Sequence, residues 1–341
     1  MVNTQGNDGL WKRRLGRYGW GMLCVLLLLA GCSRPTPPTA TLPPLKIGYS
    51  AWPGFLPVVI AQEKGYFQEQ GVTVELEYSD NTTTQIADFT AENLDGAFFA
   101  LGSVVSLTVQ NPGAAFILVS DESQGADAVV ANPPIATVAD LRGKRVGTNT
   151  GGFGELFVTR MLEDNDLSRE DVIIVQVIAE DVPQALADGT IDAGSAWEPF
   201  ISQAVKGGAQ VIFSSESTPG LIPDGLVVRE AVLKERPEQL QAFLKAWFQA
   251  VDDWKADPAA GSQLIAARLG IPVEEVSLEG IKLLSLTDNL KAFTPGDSTE
   301  SLHVTADLYA NFFIRTGALS RPPDLAVLLN DSLLREVDSM P

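Results

Sequence analysis

The chain has 341 residues, of which 45% are hydrophobic, so it is long and apolar enough for two domains with packed cores. Its 24 Lys and Arg stand against 43 Asp and Glu, and the net charge of −19 argues against nucleic acid as a partner. The single histidine, His303, and the two cysteines, Cys24 and Cys32, are too few for Ser–His or Cys–His catalysis or for most zinc and iron sites. We therefore expect no catalytic residue, no cofactor and no metal.

The first 44 residues are typical of an export signal followed by a linker. Four basic residues precede the apolar run 21–31, which is shorter than the roughly 20 residues that cross a bilayer. Residues 28–32, LLAGC, resemble a bacterial lipobox, which implies cleavage before Cys32 and acylation of its sulfur. A plain membrane anchor is the alternative. We assign residues 1–31 to a lipoprotein signal peptide and the Pro/Thr-rich residues 32–44 to an extended linker.

The next segment alternates strands and helices. Period-2 or buried apolar runs predict the strands, and apolar residues at helical spacing predict the helices. The capping residues 80–84 precede the second helix. Strands are predicted at 46–50, 72–78, 95–100 and 115–119, and helices at 56–64 and 85–93.

Residues 119–134 separate this unit from a second one. The polar and flexible residues 123–127 lie between two apolar runs, and the β-prone run 128–131 stops at Asn132-Pro133-Pro134. We interpret this stretch as a hinge crossing beside a ligand cleft. An ordinary strand and turn within one domain is the alternative.

The second unit repeats the order of the first about a hundred residues later. Strands are predicted at 145–148, 171–178 and 190–196, and helices at 155–165 and 182–188. Two copies of β-loop-α-β-α-β imply two parallel-type sheets. Because ligands bind at the carboxyl ends of such strands, two facing lobes would enclose a cleft.

From residue 224 the chain is mostly helical. A strand at 225–228 is predicted to return to the first lobe, and the helix around Trp247 and Trp254 presents one apolar face. The sequence thus predicts a bilobed α/β fold with two hinge crossings and a helical C-terminal region packed on the first lobe. We expect residues 45–130 and 222–341 to form lobe 1 and residues 131–221 to form lobe 2.

Four motifs in this order carry a family resemblance: residues 46–65 with Trp52-Pro53-Gly54, then Gly125-Ala126-Asp127, residues 138–147, and Trp197-Glu198-Pro199. They are similar to the periplasmic-binding-protein-like (type II) substrate-binding proteins of ABC importers, in the branch for nitrate, taurine, alkanesulfonates and thiamine precursors. The resemblance implies a ligand closed between lobes and delivered to a permease with its ATPase. With the lipobox, it implies an extracytoplasmic protein tethered to the membrane in the periplasm or at the cell surface.

On this basis we expect a non-enzymatic monomer that binds a taurine- or alkanesulfonate-like anion or zwitterion. One alternative is binding of a thiamine-pyrimidine precursor. A pyrimidine-synthase-like enzyme is another, although that chemistry needs a cleft histidine and a cysteine cluster. A solute sensor that signals to a partner protein is the third.

Four loops and two strand ends are the candidate ligand contacts. Free N–H groups where helices begin suit an anionic head, with simple helix capping as the alternative. The aromatic residues suit a flat or alkyl ligand, with loop packing as the alternative. The loop candidates are Ser50, Trp52, Phe55, Asn81, Thr82, Thr83, Leu101, Ser103, Thr150, Gly151, Gly152 and Phe153.

Asp127, Trp197 and Glu198 are the candidates at the strand ends. We expect the Glu198 carboxylate to pair with an ammonium or a ring N–H of the ligand, although an acid in the first turn of a helix is its ordinary role. For Asp127, ligand contact and a backbone-capping turn remain open.

Overall fold

The structure, a computed structural model, describes residues 42–79 and 81–339. The predicted signal peptide, the lipidation site Cys32 and nearly all of the linker lie outside the described residues. Among the residues described, no helix combines the length and apolar composition that a membrane crossing requires.

The predicted strands and helices of both halves are present, with ends shifted by a few residues. The strands are β1 (Leu45–Tyr49), β2 (Val74–Tyr78), β3 (Gly96–Ala100), β4 (Ala115–Ser123), β5 (Asp127–Ala131), β6 (Arg145–Thr148), β7 (Ile173–Gln176), β8 (Ala193–Trp197), β9 (Gln210–Ser214), β10 (Pro223–Val228) and β11 (Ile281–Leu283).

The helices of the first half are α1 (Pro57–Glu63), α2 (Tyr66–Glu69), α3 (Thr82–Thr90) and α4 (Leu101–Leu107), and those of the second half are α5 (Phe153–Glu163), α6 (Val182–Ala187) and α7 (Phe200–Lys206). Those of the C-terminal region are α8 (Glu230–Glu235), α9 (Pro237–Ala256), α10 (Pro258–Leu269), α11 (Leu286–Ala292), α12 (Leu302–Thr316), α13 (Leu325–Leu328) and α14 (Ser332–Asp338). Helix α3 begins before the predicted residue 85 because the Asn81 side chain caps it, accepting from the Thr84 amide at 2.9 Å.

The strands form two sheets with the same plan. The first has the order β11-β4-β10-β3-β1-β2 and the second β9-β5-β8-β6-β7. β1 pairs in parallel with β2 and β3, as β6 does with β7 and β8. The repeat predicted from the sequence is therefore present in the topology, and β10 in the first sheet is the counterpart of β5 in the second.

β5 and β10, which we call the return strands, run antiparallel to their neighbours. Each follows a crossing from the other sheet, so it enters its new sheet at the edge where the parallel strands end. Its first residues consequently lie opposite the last residues of a parallel strand: Asp127 faces Trp197, and Asp224 faces Ala100. The sequence predicted parallel-type lobes without this reversal.

The two crossings lie side by side and are joined through serine hydroxyls. Ser123 Oγ and Ser215 Oγ are 2.8 Å apart, and Ser215 Oγ also accepts from the Gly125 amide at 2.7 Å. Gly125 has a φ of 130°, which side chains with a Cβ rarely adopt. The lobe boundary expected after residue 130 falls inside β5, which pairs with the second sheet, so we propose that the crossings at 124–126 and 215–222 divide the lobes.

The C-terminal helices pack on the first sheet, as predicted. α9 contacts α1 and α2, and α14 contacts both α9 and β4. Trp247 and Trp254 are fully buried, and the ring of Trp247 stacks on Phe98 of β3 at 4.9 Å. Both tryptophans therefore belong to the hydrophobic core, and Trp247 packs against strand β3 of the first sheet.

Candidate ligand-binding site

A cavity lies where the strands of both sheets end, with about 420 Å³ of empty space including its mouth. Both sheets contribute to its wall, as the sequence predicted for a cleft. The lining residues are Ser50, Trp52, Phe55, Thr82, Gln85, Phe98, Phe99, Ala100, Ser103, Asp127, Phe153, Trp197 and Asp224.

Aromatic rings form two sides of the cavity. Trp52 and Phe55 follow β1, with ring centroids 6.4 Å apart, and Phe153 and Trp197 belong to the second sheet's side, 5.8 Å apart. A hydrogen bond fixes the orientation of the Trp52 indole, because its Nε1 donates to Asp121 Oδ1 at 3.0 Å. Two preset aromatic faces suit a ligand with an apolar or flat body.

Two buried carboxylates, Asp127 and Asp224, which we call the acidic pair, lie on the cavity wall where the return strands begin. They are 3% and 5% exposed. The Oδ2 atom of each is buried and has no hydrogen-bond partner. Asp121, fully buried, is opposite Asp224 in the β4–β10 register. Unpaired buried carboxylate oxygens are costly, so they mark a place where a ligand completes the structure.

The environment of these carboxylates favours their protonated forms. Burial raises the pKa of Asp127 to about 7, and the charge of Asp121 adds to it against a hydrogen bond with Ser123. Burial also raises the pKa of Asp224 well above its ordinary value, followed by repulsion from Asp121 and Asp127 and by a hydrogen bond that its carboxyl group shares with Asp121. The ionised pair therefore needs a positive charge or N–H donors beside it.

The cavity offers little to bind a negative charge. Among the described residues that line it there is no Lys, Arg or His. Its polar side chains other than the acidic pair are the hydroxyls of Ser50, Thr82 and Ser103 and the amide of Gln85, whose buried Nε2 has no partner. Where the acidic pair is ionised, an anion would approach two negative charges with only these neutral side chains to hold it.

Carboxylates of the protein already accept from some of the N–H groups near the helix N-termini that we expected to hold an anion. At α3, Glu180 Oε1 accepts from the Thr82 amide at 3.0 Å and from its hydroxyl at 2.7 Å. At α5, the Glu155 side chain accepts from the Gly151 amide at 2.8 Å, and the Thr150 amide donates to Gln176. The cap of α3 is the Asn81 side chain, whereas the N-cap of α5, Gly152, has no side-chain cap. Glu180 also joins the second sheet's side of the cavity to the first.

The structure brings eight of the predicted contacts together and places seven elsewhere. Those that line the cavity are Ser50, Trp52, Phe55, Thr82, Ser103, Asp127, Phe153 and Trp197. Those that do not are Asn81, Thr83, Leu101, Thr150, Gly151, Gly152 and Glu198. Thr83 and Thr150 are exposed, whereas Leu101 is in the core.

Glu198 lies outside the cavity for a geometric reason. β8 ends at Trp197, and Glu198 lies in the turn between this strand and α7. Its carboxylate accepts from the Ser202 amide at 3.2 Å in the first turn of α7 and borders a separate groove beside Gly125. The expectation that Glu198 reads an amine of the ligand is therefore not met by this geometry.

Sequence reasoning missed five lining residues: Gln85, Phe98, Phe99, Ala100 and Asp224. Asp224 had a usable signal, since it precedes the predicted returning strand just as Asp127 precedes the run 128–131. Phe98, Phe99 and Ala100 read as ordinary buried strand, and nothing local distinguishes Gln85 from other polar residues of a helix.

Comparison with known proteins identifies relatives along most of the chain. A family model described as "NMT1/THI5 like" matches residues 52–261. A putative aliphatic sulfonates-binding protein of Bacillus subtilis (strain 168) is 27% identical over 327 residues, which cover 92% of this chain and 95% of that protein.

Solved structures match the fold at lower identity. The periplasmic aliphatic sulphonate binding protein SsuA from Escherichia coli has a TM-score of 0.68 and 16% identity, covering 83% of this chain and 90% of that chain. The desulfurization enzyme DSZB has a TM-score of 0.63 and 17% identity, covering 86% and 98%. These matches confirm the predicted periplasmic-binding-protein-like α/β fold, and a fold shared by a binding protein and an enzyme does not by itself decide between them.

Proposed function

Since the chain belongs to the NMT1/THI5-like family, we propose that it is the solute-binding component of an ABC importer. It captures a small organic solute between its two sheets and delivers it to a permease with a cytoplasmic ATPase. A cavity lined from both sheets, beside two adjoining crossings, is the observation that carries this proposal. The names of the relatives, a sulfonates-binding protein and SsuA, support a binding role.

The proposal includes no chemical step. Both cysteines precede residue 33, and the single histidine, His303, is not among the lining residues of the cavity. The polar lining residues are hydroxyls, one amide and the acidic pair, which suit binding better than nucleophilic catalysis. We therefore place the chain with its binding-protein relatives rather than with DSZB.

The proposal also includes export to the extracytoplasmic space and tethering to the membrane through Cys32. The motif at residues 28–32 supports a lipid anchor, and the acidic surface keeps a monomer soluble at high local concentration. A tethered receptor stays close to its permease, which favours delivery over signalling to a soluble partner.

The relatives' names suggest an organosulfonate, and of the sulfonates expected from the sequence taurine suits the cavity better than an alkanesulfonate, although its own sulfonate group meets only neutral or acidic side chains there. Its ammonium group can meet the acidic pair, whereas an alkanesulfonate presents only negative charge to it. The taurine-like zwitterion expected from the sequence thus fits better than the purely anionic ligand.

Small-angle scattering tests the binding role without knowledge of the ligand. The purified protein is incubated with the small-molecule fraction of a cell extract and then freed of unbound solute by gel filtration. We expect the radius of gyration to fall as the lobes close, and native mass spectrometry to show one bound solute per chain. If no solute is retained and the radius does not change, the binding role is wrong.

A further inference from the structure

We propose that the solute is a small organic cation with N–H donors, such as a primary ammonium or an amidinium on an apolar body, bound between Asp127 and Asp224. The inference rests on the proposed function, because it names the chemistry of the ligand in the same cavity. It differs from the sulfonate chemistry in the names of the relatives, and the contents of the cavity account for the difference.

The two carboxylates occupy equivalent places in the two halves. Asp127 is the first residue of β5 and Asp224 the second of β10, and these return strands are counterparts in the two sheets. Each faces the end of a parallel strand and opens onto the same cavity. A ligand between the lobes can therefore contact one carboxylate from each half.

The unpaired oxygens require donors from the ligand. The Oδ2 atoms of Asp127 and Asp224 are buried without a partner in side chains that are at least nine-tenths buried. An ammonium offers three N–H groups and an amidinium offers a planar pair, so either has donors for both oxygens, and its single positive charge offsets one of the two negative charges. A quaternary ammonium supplies the charge but leaves both oxygens unpaired.

The aromatic residues that line the rest of the cavity favour a ligand with an organic framework. Trp52 and Phe55 on one side and Phe153 and Trp197 on the other present aromatic faces, which attract cations as well as apolar groups. Within residues 42–79 and 81–339, no group of three or more His, Cys, Asp or Glu is arranged to hold a metal ion. A bare metal ion would also leave the aromatic walls without a partner.

A series of probes with one benzyl or phenyl body separates these requirements. Benzylammonium and benzamidinium have charge and N–H donors, benzyltrimethylammonium has charge alone, benzyl alcohol is neutral, and phenylmethanesulfonate is anionic. Calorimetric titration measures each against the full chain, against Asp127→Asn and Asp224→Asn, and against Glu198→Gln. The last variant removes one negative charge outside the cavity and is the matched control, and thermal melting confirms that each variant is folded.

We expect the two N–H cations to bind most tightly and the sulfonate least. Each Asn variant should weaken the N–H cations about ten- to a hundredfold, as the loss of a charge-assisted hydrogen bond does, while Glu198→Gln leaves them unchanged. Failure of both N–H cations to bind, a sulfonate that binds as tightly as they do, or unchanged affinity in folded Asn variants would each overturn the proposal.

The solute retained from the extract distinguishes this proposal from the binding role. A retained solute with a basic nitrogen that loses affinity in the Asn variants supports both. A retained solute without one, such as an alkanesulfonate or a carboxylic acid, overturns the ligand class and leaves the binding role intact. A retained taurine with undiminished affinity in both Asn variants overturns the acidic pair as the reader of its ammonium.

Discussion

Replacing Asp127 by Asn removes a buried carboxylate with almost no change of shape, and we expect it to stabilise the ligand-free protein at neutral and alkaline pH. The folded-state pKa of Asp127 is raised from an ordinary value of 3.8 to about 7, first by burial. Between these values the unfolded chain loses its proton while the folded protein keeps it. Stability of the parent protein therefore falls as the pH rises through this window.

The size of the effect follows from the shift. Each unit of pKa corresponds to about 1.4 kcal/mol, so ionised Asp127 lowers the free energy of unfolding by up to roughly 4 kcal/mol above pH 7. At a pH of about 4 the carboxyl group is protonated in the folded protein and resembles the amide. The variant should thus match the parent in acid and exceed it by up to roughly 4 kcal/mol at a pH of about 8.

Urea unfolding followed by tryptophan fluorescence measures this difference across the pH range. Glu198→Gln is the control, because it removes a charge at a site that only caps α7. A difference between Asp127→Asn and the parent that does not change with pH would show that the Asp127 carboxylate ionises as in water.

Three other substitutions test separate features. Glu180→Gln weakens the charge-assisted contact with Thr82. We expect about tenfold weaker solute binding and, in solution scattering, a larger radius of gyration of the ligand-free protein. An unchanged radius would contradict a role of this contact in closure. Gly54→Ala places a methyl carbon 1.8 Å from Asp121 Oδ2, so urea unfolding should show a loss of about 1–3 kcal/mol, and parental stability would disprove the close approach. Cys32→Ser should move the protein from the membrane to the soluble fraction, and unchanged fractionation would rule out the lipid anchor.

The alternation of elements was predictable because it depends on local patterns. The run 128–131, bounded by polar residues and by prolines, predicted a strand after a crossing, and β5 lies there. The strand predicted at 115–119 continues to Ser123, however, and its polar residues Ser120, Asp121 and Ser123 are buried. Polar residues usually end a buried strand, and only the partner strand and the cavity explain why these do not.

The sequence predicted a site residue where the position on a strand determines the direction of the side chain. It failed where that direction depends on other elements packed beside it. Trp197 ends a parallel strand and faces the cavity. The adjacent Glu198 lies in the turn that follows the strand and caps α7 instead. The helix N-termini were predicted from their capping residues, yet the Thr82 amide is used by Glu180, whose position depends on tertiary folding, and the Gly151 amide by Glu155, which is four residues further along the chain. Asp224 was missed because its importance follows from its equivalence to Asp127, which the strand order reveals.

The hydroxyl contact between Ser123 and Ser215 has a mechanical consequence. Within the proposed function, we expect the two crossings joined at that point to serve as the pivot of lobe closure. Asp127 lies close to this point, since its amide donates to Ser123 Oγ at 3.0 Å, so we expect it to move little. The contact between Thr82 and Glu180 involves neither crossing, so we expect it to be the one that opens and that the solute passes first.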